Sequence, residues 1–458
     1  MLAIAASTQA ADALRKPNVL LIVSDDQRPD TIAALGNSHI QTPHLDRLVR
    51  EGTAFTRAVS PNPICVSSRA EMLTGCTSFT NGEALAGGAL KPTLTRFAQA
   101  FQAAGYRTCY TGKWHTRGKP SDHGYDETAG LYMGGGGREI THPLDWAGRP
   151  VTGYRGWVLQ DEAGNKFPER GVGLTPHISA DFADAAIGYL RRQNSIGKPF
   201  FLHVCFAAPH DPLLMPPGYA GKYERERLPL PKNFASEHPL DHGNFRGRDE
   251  LLFAWPRTPK ETLGELAVYY AVISHMDEQI GRMLKALEET GQSENTLVVF
   301  TADHGLAIGS HGLRGKQNMY EHTLGVPLLM RGPGVPKSKR VEGQVYLRDI
   351  YPTVCQLAGV PIPASVESKS FVPLLTGESK EIHPHIFAYF RDVQRAIRTD
   401  RWKYIRYPQV NREQLFDLAA DPLELKDLSA DPARADVLRD LRGKLAVWQR
   451  SAHDPLLK

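Results

Sequence analysis

Four short apolar runs in this chain end in polar, chemically capable residues, and that repetition limits the folds open to it. They are "NVLLIVSDD", "YRTCYTGKWH", "PFFLHVCFAAPHD" and "TLVVFTADHG". The first, third and fourth, rich in Val, Leu, Ile and Phe with little polar alternation, read as strands buried on both faces, and "YRTCYTGKWH" reads as a further strand and its loop. Patterns of helical spacing lie between them. "TLTRFAQAFQAAG" carries Leu94, Phe97, Ala98, Phe101 and Ala104 toward one side and stops at Gly105; "ISADFADAAIGYLRRQ" leads into the third run. A longer helix over 263–290 aligns Leu266, Tyr269, Ile273, Ile280, Leu284 and Leu287 and stops at Gly291. Strands alternating with helices predict an α/β layer architecture around a largely parallel sheet. In open sheets of that kind ligands bind outside the carboxyl ends of the strands. The four polar endings are therefore expected to converge on one site.

Two segments interrupt the alternation: 131–177, which contains "GGGG", and 211–262, rich in Pro, Arg and aromatics. Insertions of this length commonly sit over an active face and shape substrate choice. Beyond residue 365 the texture changes. "HIFAYF", "QRAIRTD", "RWKYIRY" and "EQLFDLAADP" predict a small antiparallel sheet, closed by the helix "ADVLRDLRGKLAVWQ". The expected organisation is a leader over 1–16, a catalytic domain over 17–365 and a C-terminal α+β subdomain over 366–458. The alanine-rich start has small residues spaced A-x-A and reads as the tail of an incomplete secretory signal, placing the protein in the periplasm or outside the cell.

Composition removes several classes of function. With 54 basic against 50 acidic residues the net charge is only +4, which does not make a nucleic-acid-binding surface. No apolar run approaches the ~20 residues that span a bilayer. Five cysteines (Cys65, Cys76, Cys109, Cys205, Cys355) form no dense framework, so disulfides do not carry the fold.

The strand endings supply Asp25, Asp26, Asp303 and His304. Carboxylates gathered without a cation repel one another, and oxygen-dominated ligation favours calcium or magnesium. Lys113, His115, His210 and Lys316 add cations and proton donors. Cys65, in "PNPICVSSRAEMLTG", falls where a helix N-terminus would aim its N–H groups at an anion. Together these parts fit a tetrahedral oxyanion. Residue types and spacing leave open whether that is a phosphate or a sulfate ester, and whether Cys65 acts as a thiolate, as a core residue or in another form.

At "CVSSRAEMLTG", "GKWH" and "TADHG" the chain resembles the formylglycine-dependent type I sulfatases of the alkaline-phosphatase-like superfamily, from "NVLLIVSDDQRPD" through "EQLFDLAADPLELKDL". The resemblance implies a large mixed, mostly parallel sheet flanked by helices. It also implies that a separate maturation enzyme oxidises Cys65 to Cα-formylglycine (3-oxoalanine). The hydrated aldehyde attacks sulfur through one hydroxyl and expels sulfate when the other loses its proton, an exit that serine lacks. By matching position, Asp25, Asp26, Asp303 and His304 hold one calcium ion that also touches residue 65. Arg69 and Lys113 support the formylglycine, His115 is the base of the elimination step, and His210 and Lys316 bind sulfate and assist the departing alcohol. Ser67 stands where the family commonly has Pro or Ala, His304 where Asn is also common, and His44, read as structural, where Asn is usual. "SDDQRPD" resembles the sulfatases that act on sugars, so a sulfated carbohydrate is the expected substrate, read by Arg28 or the insertions. The alternatives are a formylglycine-dependent phosphonate or phosphate diester hydrolase and a catalytically silent sugar-binding relative.

Overall fold

The computed structural model describes residues 16–83 and 88–457; the expected leader, apart from Lys16, lies outside them. The central strand β1 (Asn18–Ser24) is buried at every position, as its uninterrupted apolar run requires. Its neighbours are β6 (Phe200–Cys205) and β7 (Thr296–Ala302), both parallel to it. β3 (Arg107–Lys113) lies parallel to β6, and β4 (Glu127–Gly134) parallel to β3. On the other side, β8 (Gly325–Arg331) runs antiparallel to β7 and to β2 (Thr53–Val59). β9 (Lys339–Val341) and β10 (Val345–Tyr346) pair with β2, and β5 (Trp157–Gln160) closes the far edge antiparallel to β4. The result is a 10-stranded mixed, mostly parallel sheet.

Side chains alternate across it as the strand period demands. Leu20 and Ile22 pack toward α4 (Ile178–Asn194) and α5 (Pro259–Glu289), with α1 (Pro43–Glu51) beside them. Val19, Leu21 and Val23 pack toward α2 (Cys65–Thr74), α3 (Phe97–Ala103) and α6 (Ile350–Leu357). The long helix α5 buries every apolar residue predicted for its inner stripe. α3 starts one turn later than its spacing suggests. Arg96 donates to the carbonyls of Leu90 and Lys91 and holds the segment before it, Leu94 included, in a non-helical loop.

Part of the first insertion is not loop at all: β5 lies within it and extends the main sheet by one strand. The second holds two short 3-10 turns, and its last residues are the first turn of α5, which starts at Pro259, earlier than its spacing suggests. The C-terminal strands β11 (Ile386–Phe390), β12 (Gln394–Arg398), β13 (Trp402–Tyr407) and β14 (Arg412–Asp417) form a 4-stranded antiparallel sheet in chain order. One face, with Ile397, Tyr404 and Leu415, is covered by α7 (Ala435–Ser451) through Leu438, Leu441 and Leu445. The other, with Ala388, Ala396, Ile405 and Phe416, meets Leu313, Met319 and Tyr320 of the main body. All five cysteines are buried free thiols. Among the described residues, no helix is long and apolar enough to cross a membrane.

Candidate active site

Register brings the strand ends abreast. Ser24 pairs with Ala302, and Val23 and Gly112 both pair with Cys205. Asp25 and Asp303, the residues just past β1 and β7, therefore emerge side by side, with Lys113 at the end of β3 on the far side of β6. The chain then turns sharply at Asp26, whose φ of 64° lies in the left-handed region where aspartate is tolerated. The Asp26 amide donates to Asp303 Oδ1 at 3.1 Å, and the His304 amide donates to the same oxygen at 3.0 Å.

Cys65 is the first residue of α2, its side chain 3% exposed. Its Sγ lies 3.2 Å from Lys316 Nζ, 3.4 Å from His304 Nε2 and 4.0 Å from Asp26 Oδ1. His115 stands close enough to this thiol for each to bear on the other's ionisation. One ligand atom each from Asp25, Asp26, Cys65 and His304 falls within a 4.8 Å cluster. Asp303 stands at its edge: Oδ1 is 3.8 Å from His304 Nε2, and Oδ2 pairs with Arg69 at 3.0 Å.

Cations ring the carboxylates. Lys113 Nζ is 2.5 Å from Asp25 Oδ2, and Lys316 Nζ lies 2.8 and 3.0 Å from the two oxygens of Asp26. Arg69 reaches Asp25 at 3.6 Å. His210 turns Nε2 to Asp26 at 3.7 Å, while its Nδ1 meets the Asp211 carbonyl at 2.5 Å. The structure thus gathers all ten sequence-selected residues at one end of the sheet.

Burial and opposing charge set the ionisation here. Burial pushes the Cys65 thiol up, but Lys113, Lys316 and His304 outweigh it and hold it well below an ordinary thiol. Burial and the Asp25 charge push the Asp303 carboxyl up to about 7. Burial pulls His304 down, yet Asp303, Cys65 and Asp26 raise it to about 9. Burial, with Lys113, keeps His115 below the usual imidazole range, which favours a neutral ring.

Several neighbours carry no local sequence signal. Tyr154, from the first insertion, donates its hydroxyl to Asp25 Oδ2 and sets its ring edge-on to His210 at 4.8 Å. Trp157 stands edge-on to His115 at 5.2 Å. Arg248, from the second insertion, grips Asp211 through two hydrogen bonds of 2.6 and 3.0 Å. Arg28 is reassigned by the structure. Its guanidinium is spent on Asp30, the carbonyls of Leu306 and Ala307, and Ser310, and it is 5% exposed, so it ties two loops together and does not read a sugar. His44 is structural as expected, its ring lying where a Cβ on Gly281 would be 2.4 Å away.

Clustered carboxylates and cations thus surround Cys65 at a helix N-terminus, an arrangement with the charges to receive a metal ion and a tetrahedral oxyanion. The chain belongs to the sulfatase family: its residues 17–360 match the family model Sulfatase, and residues 309–451 match the model N-sulphoglucosamine sulphohydrolase, C-terminal. It is accordingly a sulfuric ester hydrolase. An arylsulfatase of Clostridium perfringens is 31% identical, covering 94% of this chain and 95% of that protein. An ulvan-active sulfatase of Formosa agariphila is 29% identical over 96% of this chain and 82% of its own length. Among solved structures, a protein in complex with its substrate D-glucosamine-2-N,6-O-disulfate superposes with a TM-score of 0.82 at 23% identity, covering 96% and 99% of the two chains. A phosphonate monoester hydrolase of Agrobacterium radiobacter gives 0.78 at 23% identity, covering 95% and 96%.

Proposed function

We propose that the enzyme removes sulfate from a sulfated carbohydrate, using a formylglycine formed from Cys65 and one bound calcium ion. The observation that carries this reading is the convergence of Asp25, Asp26, Cys65 and His304 at a helix N-terminus, inside a ring of cations. The donor set suits a hard cation: Asp25 Oδ1 is wholly buried without a hydrogen-bond partner, and carboxylate oxygens dominate. Asp25, Asp26 and His304, with Asp303 beside them, would hold the ion. Calcium would supply positive charge that polarises a sulfate oxygen. Formylglycine would supply a hydroxyl nucleophile and a route for sulfate to leave. Cys65 Sγ stands where an oxygen of that group would be.

The remaining roles belong to residues of the chain. Arg69, paired with Asp303, fixes the carboxylates and supports the diol together with Lys113. His115, kept below the usual imidazole range by burial, takes the proton of the release step. Lys316 and His210 reach the same pocket from two other loops and donate to the sulfate and the departing oxygen. A carbohydrate substrate draws support from two sources. Trp157, half-buried beside His115, is an aromatic side chain of the kind sugar rings stack on. The ulvan-active relative, and an N-acetylglucosamine-6-O-sulfatase of Bacteroides thetaiotaomicron at 25% identity, carry carbohydrate substrates in their names. Maturation then requires transient contact with a formylglycine-generating enzyme.

The likeness to a phosphonate monoester hydrolase favours one second reading, a phosphonate or phosphate diester hydrolase. Mass spectrometry of the peptide containing Cys65 tests the nucleophile, since conversion to formylglycine removes sulfur. Rates on a sugar sulfate and on a phosphate diester under identical conditions test the substrate. An unmodified Cys65 in active protein refutes the first part, and faster diester turnover refutes the second.

A further inference from the structure

We infer that Glu250, in the second insertion, is the positioning residue for Lys316, and so makes that insertion part of the leaving-group machinery. This rests on the reading of Lys316 as a donor to the departing oxygen. Lys316 sits in a segment held by neither helix nor strand. The turn before it is closed by three backbone bonds: Ala307 N to Gly315 O at 3.0 Å, Ile308 N to Arg314 O at 3.2 Å and Gly309 N to Leu313 O at 2.7 Å. These use the carbonyls of residues 313–315 and leave the amides of Arg314 and Gly315 without a backbone partner. Buried amides in that state need an acceptor. Both find the same one. Arg314 N donates to Glu250 Oε2 at 2.9 Å and Gly315 N to Glu250 Oε1 at 2.8 Å.

The clamp is itself immobilised. Glu250 is wholly buried and pairs with Arg257 at 2.6 Å. Arg257 in turn donates to the carbonyls of Glu250, Phe253 and Gly312 and lies 3.9 Å over the Trp255 ring. There is no slack on the loop side, because a Cβ on Gly315 would come within 2.9 Å of Glu250 Oε1 and 2.8 Å of Asp249 Cβ. The Arg314 side chain extends the linkage, meeting Glu265 at 2.6 Å and Asp211, the residue after His210, at 3.6 Å. One carboxylate thus fixes the amides of the two residues before Lys316, and Lys316 Nζ arrives within hydrogen-bonding distance of Asp26 and Cys65. A displacement of about 1 Å at such a group costs ~10²-fold in rate.

The test compares a sugar sulfate, whose alkoxide leaves poorly, with a nitrophenyl sulfate, whose leaving group needs little help. Glu250→Gln in the matured enzyme should lose ~10²-fold on the sugar sulfate and less than about threefold on the aryl sulfate. In a Lys316→Ala background the same change should add nothing to that ratio, because the group it places is gone. Gly315→Ala keeps the carboxylate, crowds it from the loop side and should shift the ratio in the same direction; it also serves if Glu250→Gln does not fold. Equal losses on both substrates in a folded variant, or losses that multiply with those of Lys316→Ala, overturn the inference. Should Lys316→Ala itself lose equally on both substrates, the leaving-group reading fails, and the positioning claim is then decided by non-additivity with Lys316→Ala alone.

Discussion

At the carboxyl end of the main sheet, Asp25, Asp26 and Asp303 share one buried space with Lys113, Lys316 and Arg69, while behind the C-terminal sheet Arg395 meets Asp454 alone. The second pair is closed. Nε and Nη2 of Arg395 donate to the two Asp454 oxygens at 2.6 and 2.8 Å, and Gln449 and the Leu456 amide complete the carboxylate. The first group is not closed, since Asp25 Oδ1 has no donor and the Cys65 thiol is surrounded by cations. Buried charge therefore does two different things in one chain. Paired one to one, it ties the last residues to β12; crowded and left incomplete, it makes a place for a ligand.

The sharpest break between the two regions is expected at Cys65. Cys65→Ala should cut turnover by ~10⁵-fold or more with the melting temperature unchanged; activity above a few thousandths of wild type would refute the nucleophile. Next come the proton-transfer groups. His210→Ala should cost ~10² to 10⁴-fold on a sugar sulfate and much less on an aryl sulfate. His115→Ala should instead accumulate sulfated enzyme with either substrate, visible as an intact-mass adduct. Equal losses for His210→Ala without an adduct in His115→Ala would overturn this division.

On the other side of the comparison, Asp454→Ala should destabilise the fold by about 3 kcal/mol, because it strands a buried guanidinium. Denaturant titration measures this, and kcat of the folded fraction should not move. Metal removal acts on both properties at once. Dialysis against a chelator should lower activity and cost about 2.7 kcal/mol of stability relative to protein at 100-fold excess over its Kd. Active, dialysed protein with no divalent ion by elemental analysis would refute the assignment.

The most gradual effect, spread over several pH units, concerns a carboxylate that is neither clustered nor paired. Asp277 on α5 accepts the amides of His44 and Leu45 at 3.1 and 2.7 Å, capping α1 from outside, and burial pushes its carboxyl up to about 7. Between the unfolded value of 3.8 and the folded one, the native state holds the extra proton. Stability from this group is thus fullest below about pH 4 and falls as pH rises toward 7, by at most ~1.4 kcal/mol per unit. Asp277→Asn should remove that component of the slope; identical pH–stability curves for the two proteins would refute it.

The site was legible in the sequence where chemistry sits next to a strong local pattern. Asp25, His210 and Asp303 follow short apolar runs that read as buried strands, Lys113 ends a further predicted strand, and Cys65 opens a helix behind a recognisable motif. The residues that hold these groups in place were not legible. Glu250 lies 66 positions from Lys316, Tyr154 is 129 from Asp25, and Arg248 is 37 from Asp211. Each is an ordinary residue in a loop, with no periodicity to mark it.

By itself the sequence determined the elements and the chemistry available at their ends, because strand and helix periods are local properties of the chain. It also carried the four C-terminal strands, whose inward residues alternate on the page as they do in the fold. Register was decided only by the tertiary structure. Pairing Ser24 with Ala302, and Gly112 with Cys205, is what turns separate strand endings into one pocket. Which face the insertions cover, and which loop amides their carboxylates meet, was decided there too. Those contacts join residues far apart in the chain, and long-range packing rather than local propensity selects them.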